Sequence, residues 1–198
     1  MNSHTSESTT SKTPVNINLA ITWMLLGVFG VGTVEYLVAG VLPQISSDVA
    51  VTEATAGLLV TVYALTVVIG GPLLTIITSR VRRIPLVLVL MALFIVGNIL
   101  TAVAPNFPVL VIARVMTALP HATFFALCLV LAPTLVEPEF QGRVISRITL
   151  GLNLATVLGV PLGTLVGNQY GWRSSFLIIA GIQTLVTVAL VLTTRRAP

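Results

Sequence analysis

Three ionisable side chains fall well inside long apolar stretches: Glu35, Arg114 and His121. Glu35 is the only acid so placed and Arg114 the only arginine. A charge in hydrocarbon is costly unless it is protonated, paired or turned to a cavity, and an arginine at mid-helix costs about 2.5–3.5 kcal/mol on insertion scales. Glu35 therefore suits a proton carrier, a counter-charge for a cationic ligand, or a structural ion-pair partner. Read as helix at 1.5 Å per residue, Glu35 lies about 10 Å below Leu42 and Arg114 about 10 Å below Phe107. The two opposite charges share a depth, as a coupling pair or a static interhelical pair would. His121 lies almost two turns beyond Arg114 on the same helix face, with Thr117 between them. A neutral histidine there can relay protons; hydrogen bonding to a neighbouring helix is the alternative.

Six apolar stretches must carry these groups: Ile17–Pro43, Ala54–Thr78, Ile84–Ala104, Phe107–Val136, Val144–Asn168 and Ser174–Thr194. Each is about 20 residues or longer, enough to cross a hydrocarbon core of about 30 Å as helix. The stretches lack the alternation of barrel strands, so helices must satisfy the backbone in lipid. The chain reads as an all-α polytopic membrane protein. Its 56% hydrophobic and 8% charged residues and mean hydropathy of +1.04 exclude an ordinary soluble fold, where about 25% of residues are charged.

The basic residues fall into alternate gaps. Arg80, Arg82 and Arg83 follow span 2, Arg143 and Arg147 follow span 4, Arg195 and Arg196 follow span 6, and Lys12 precedes span 1. The positive-inside rule then places both termini in the cytoplasm. These positions flank membrane, so a net charge of +4 points to anionic lipid headgroups and not to nucleic acid. Residues 1–16 read as a disordered cytoplasmic tail, 17–194 as the bundle, and 195–198 as the start of a cytoplasmic loop or tail. Cys128 has no second thiol and reads as a packing residue. Short loops such as Ser79–Ile84 make successive spans close neighbours. The chain shows no metal-ligand cluster, phosphate-binding glycine loop or nucleophile elbow, so neither cofactor nor metal nor enzymatic activity is expected. Function falls to the bundle itself.

Span 5 carries Gly151, Ala155, Gly159, Gly163 and Gly167 at steps of four, a stripe that admits a helix at close range. Pro161 adds a bend there and Pro120 one in span 4. Asn98, Asn153 and Gln183 read as interhelical hydrogen-bonding groups, and Tyr63 and Thr66 as possible cavity-lining groups. Spans 1 and 4 run in opposite directions and end in similar Pro-containing segments, as two inverted three-helix repeats require.

These residues resemble the N-terminal six-helix half of a major facilitator superfamily transporter. The likeness is nearest to bacterial drug:proton antiporters and to the arabinose-efflux-permease-like and purine-efflux groups. It runs over most of Leu19–Leu192 and is most specific at Thr33–Ile45, Ala56–Leu65 and Leu158–Thr164. The family's loop after span 2 reads roughly G-x-x-x-D-R-x-G-R-R. Here Arg80 and Arg83 match basic positions, Ser79 stands where the aspartate is expected and Arg82 where the glycine is. The lock attributed to that aspartate is therefore not carried over. Arg114 matches the family's span-4 arginine. Gly159 and Gly163 match the span-5 antiporter motif G-x-x-x-G-P-x-x-G-G, with Ala155 at its first glycine and the proline displaced to Pro161.

The resemblance implies proton-coupled efflux of a small organic solute or drug by alternating access, in a bacterial inner membrane. Spans 1 and 4 would line the cavity, with Glu35 and Arg114 as the coupling pair. Members have about twelve spans with the substrate cavity between two halves. The chain is thus expected to be a fragment or truncated product lacking its C-terminal half. The alternatives are a non-transporting remnant or subunit, in which Glu35–Arg114 is structural, and a six-span carrier that pairs with a second copy of itself.

Overall fold

The structure is a computed structural model that describes residues 17–194. The expected tail at 1–16 and the segment 195–198, with Lys12, Arg195 and Arg196, lie outside the described residues. Within them the chain is helical apart from short connections, and six helices are long and apolar enough to cross a membrane: Ile17–Gly40, Glu53–Ile77, Pro85–Val103, Phe107–Leu135, Pro138–Tyr170 and Trp172–Thr193.

Local chemistry sets the boundaries. Span 1 is one helix, α1 (Ile17–Gly40). It stops short of the expected Pro43, which lies in the first turn of a separate short helix, α2 (Leu42–Asp48). Proline lacks an N–H and disfavours helical backbone at the residue before it, so it ends one helix and opens the next. Span 2 begins as α3 (Glu53–Leu65), capped by Thr52, whose side chain accepts the Thr55 N–H at 3.1 Å. Span 3 is α5 (Arg83–Val103). Span 4 is α6 (Phe107–Leu131), capped by Asn106 accepting from the Val109 N–H at 3.1 Å. The helix continues through Pro120. Span 5 starts earlier than expected, as a 3₁₀ turn at Pro138–Phe140 that leads into α7 (Gln141–Leu154). Gly171, at φ 85°, makes the tight turn into span 6, α9 (Trp172–Thr194); a side chain would strain that backbone.

Spans 2 and 5 share an interruption. The π-helical segments Thr66–Gly70 and Ala155–Gly159 each precede a helix with proline in its first turn: α4 (Gly71–Ile77) with Pro72, and α8 (Val160–Tyr170) with Pro161. A proline ring crowds the carbonyl four residues back, and widening the preceding turn relieves that clash. The surrounding sequences align, with Leu65, Val68, Gly70, Pro72, Leu73 and Thr75 in span 2 matched by Leu154, Val157, Gly159, Pro161, Leu162 and Thr164 in span 5. Spans 2 and 5, one in each triplet, thus repeat one another in sequence and in local structure.

Span 1 is the most buried, with Val34, Leu37, Val41 and Ile45 beyond it fully enclosed. It packs on α7, α8 and α9 on one side and on α3 and α6 on another. The small-residue stripe of span 5 lies along it. A Cβ added to Gly151 would stand 2.6 Å from the Leu25 carbonyl oxygen, one on Gly163 2.8 Å from a Leu37 methyl, and one on Gly167 2.8 Å from a Val41 methyl. Spans 2 and 5 are the least buried, at 11% and 22%.

Candidate functional site

Arg114 is fully buried where α1, α3 and α6 meet. Its guanidinium donates to three main-chain carbonyls: Nη1 to Val34 at 3.1 Å, Nη2 to Glu35 at 3.3 Å and Nε to Leu59 at 3.4 Å. Carbonyls inside a helix keep a second lone pair, so they accept these bonds without giving up the helical ones. The guanidinium also lies over the Tyr63 ring, 4.0 Å from its centroid, a contact that strengthens as water is excluded. Arg114 is a planar clamp joining three spans.

The expected carboxylate pairing of Glu35 with Arg114 is corrected by this geometry. Arg114 holds the Glu35 backbone oxygen, while the Glu35 carboxylate faces His121, with Oε2 3.8 Å from Nε2. Among the described residues Arg173 and Asp48 form an ion pair, while His121 and Glu35 stand as a histidine–carboxylate contact. Equal depth brought Arg114 and Glu35 to the same level, but the direction of each side chain about its helix decided which atoms met.

His121 carries the chain of contacts outward. Its Nδ1 is 2.9 Å from the Tyr63 hydroxyl, and the two rings meet edge to face. Tyr63 is fully enclosed. Thr117, between Arg114 and His121, spends its hydroxyl on the Ala113 and Arg114 carbonyls of its own helix. The result is a run of polar groups, Arg114–Tyr63–His121–Glu35, passing from fully buried to partly open. The Glu35 side chain is 24% exposed, and its neighbour Tyr36 is exposed beside it. Sequence reasoning placed Glu35, Arg114 and His121 at one site and gave Tyr63 little weight. Its signal was available: a tyrosine amid the apolar residues of span 2 needs a partner for its hydroxyl.

The other sequence-derived candidates lie apart. Arg80, Arg82 and Arg83 are exposed around the turn into α5, where Arg82 caps the helix with extended backbone. Gly159 and Gly163 belong to the span-5 seam against α1, where a Cβ on Gly159 would press on Thr33, and Pro161 between them is exposed. An apolar cleft of about 150 Å³ opens along that seam between Phe29, Leu162 and Ile178. At the far end of the bundle lies a cluster the sequence reading did not assemble. Arg173 pairs with Asp48, donates to the Ala104 carbonyl at 2.9 Å and stacks over Trp172, whose indole N–H also reaches Asp48 at 3.2 Å.

Comparison with known proteins places this geometry. Residues 24–198 match the family model described as Major Facilitator Superfamily. The inner membrane transport protein YdhP of Escherichia coli (strain K12) is 38% identical over 176 residues, 89% of this chain and 45% of that protein. A chloramphenicol resistance protein of Streptomyces lividans is 37% identical over 79% of this chain and 40% of its own length. A probable sugar efflux transporter of Helicobacter pylori (strain G27) is 34% identical over 82% and 42%. Among solved structures, an inward-facing, unoccupied bacterial homologue of the human lysosomal transporter Spinster superposes with a TM-score of 0.76 at 19% identity, covering 92% of this chain and 44% of that one. The chain spans less than half the length of these relatives. With a family match over most of its length and the same six-helix fold, the chain belongs to the major facilitator superfamily of membrane transporters.

Proposed function

We propose that this chain forms one half of a proton-coupled exporter of a small organic solute, embedded in a bacterial inner membrane with both termini cytoplasmic. The observation that carries the reading is Glu35: a carboxyl deep in span 1, held between buried polar groups and partly open on one side. Such a group can take up a proton from one side and release it after its surroundings change. The names of the relatives favour export and the inner membrane. The low burial of spans 2 and 5 supports a second six-helix unit against them, from a C-terminal half or a second copy.

The test is solute flux in vesicles carrying the natural gene product under an imposed pH gradient. Glu35→Gln is expected to abolish gradient-driven flux while the protein still inserts and folds. Equal flux in wild type and variant removes Glu35 from coupling. The clamp on Arg114 favours the second reading in that event, a polar network that only fastens helices. Detergent-solution mass then separates a dimer of this chain from a monomer awaiting another half.

A further inference from the structure

From the contacts at the centre of the site we infer that Tyr63 is a positioning residue, which fixes the His121 tautomer so that Nε2–H faces the Glu35 carboxylate. The inference rests on the proton-coupling reading of Glu35 and assigns His121 a different part from that of a relay.

The Tyr63 hydroxyl and His121 Nδ1 share one hydrogen at 2.9 Å. Either the phenol donates to Nδ1, or Nδ1–H donates to the phenol. Two neighbours decide between them. The Arg114 cation lies on the Tyr63 ring face; it draws electron density from the phenol, making its O–H a better donor and its oxygen a poorer acceptor. On the far side of the imidazole stands the Glu35 carboxylate, an acceptor that calls for N–H on Nε2. Both favour Tyr63 O–H donating to Nδ1 with the proton of neutral His121 on Nε2, since the bond at one ring nitrogen sets the tautomer at the other.

A donor aimed at an acid favours its carboxylate form. The other tautomer would present a lone pair and favour the protonated acid. At 3.8 Å, Nε2 and Oε2 are too far apart for a hydrogen bond, and a movement of about 1 Å closes the gap. Opening and closing that gap, as the partly exposed Glu35 side chain turns, would alternately let Glu35 hold a proton and drive it off. No proton crosses His121; it stays on Glu35 until solvent takes it. The titratable and charged groups around the pair come from each helix packed there: Glu35 and Tyr36 of α1, Tyr63 of α3, and Arg114 of α6. Arg114 thus acts on Glu35 through Tyr63 and His121 in addition to its direct bond to the Glu35 carbonyl.

The experiment reads the tautomer directly. The chain has two histidines, so a His4→Gln background leaves His121 alone in nitrogen-15 histidine NMR of the full chain in nanodiscs. The expected spectrum shows a protonated Nε2 and a bare Nδ1, and Tyr63→Phe gives a mixture. A protonated Nδ1 in wild type, or an unchanged tautomer in a folded Tyr63→Phe, overturns the inference. If Tyr63→Phe does not fold, fluorotyrosine at the three tyrosines sharpens the phenol as a donor and is expected to move the Nδ1 resonance; an unmoved resonance overturns it equally. In flux assays on the natural gene product, Tyr63→Phe is expected to raise the midpoint of the pH profile by about one unit, a tenfold change in proton affinity, with solute KM unchanged. An unshifted midpoint counts against it. Failure of Glu35→Gln to affect flux would instead sink the coupling reading while leaving the spectrum to stand.

Discussion

Asp48 and Arg173 come from opposite ends of the sequence and form an ion pair where α2 meets the start of α9. The Arg173 bond to Ala104 adds the end of span 3 to the same fastening. An arginine in a gap that otherwise lacks basic residues is thereby neutralised locally. Both side chains are partly exposed, so the pair itself weighs about 0–1 kcal/mol. Arg173→Ala, which also frees the Ala104 carbonyl, is expected to lower the thermal midpoint in nanodiscs more than Asp48→Asn. The reverse order would show that the carbonyl bond contributes nothing.

Arg114→Lys is predicted to destabilise the bundle although it keeps the charge. One ammonium cannot bond three carbonyls and cover the Tyr63 face together, as the planar guanidinium does. A loss of about 1.5–3 kcal/mol is expected from the charge-assisted hydrogen bonds given up. Equal unfolding midpoints for wild type and Arg114→Lys would show that the clamp carries no weight.

Gly163→Leu places a side chain where the Leu37 methyl already sits within 2.8 Å of a bare Cβ. Overpacking costs about 1–3 kcal/mol, read as lower yield of folded protein and a lower midpoint. Gly181, whose Cβ would meet nothing within 4 Å, serves as control, and Gly181→Ala is expected to be neutral. Similar behaviour of the two variants would place the span-5 stripe against lipid.

Reporter fusions after Ser47, Asn106 and Gln169 are expected to read outside, because the basic residues cluster in the other gaps. A cytoplasmic signal at any of the three contradicts the proposed orientation.

The six spans were legible because crossing a membrane as helix leaves an unbroken apolar run, which needs no knowledge of neighbours. The depth of Glu35 and Arg114 was legible for the same reason: rise per residue is fixed along a helix. Their pairing was not. Whether Arg114 meets a carboxylate or a carbonyl depends on how α1 and α6 are turned about their axes, and packing against α3 sets that turn. Tyr63 was underweighted because its partner, His121, is far off in sequence. The break at Pro43 could be read from the proline alone, whereas the π segments also needed the matching of Gly70–Pro72 with Gly159–Pro161.

Those two π segments change how spans 2 and 5 can be read. A π turn takes up an extra residue, and each residue in an α-helix turns about 100° around the axis. The faces of α3 and α4, and likewise of α7 and α8, are therefore out of phase by about that angle. A helical wheel drawn straight from Glu53 to Ile77 would assign Thr75 and Leu59 to sides they do not occupy. Any scan of these spans for solute-facing positions must restart its count after Gly70 and after Gly159.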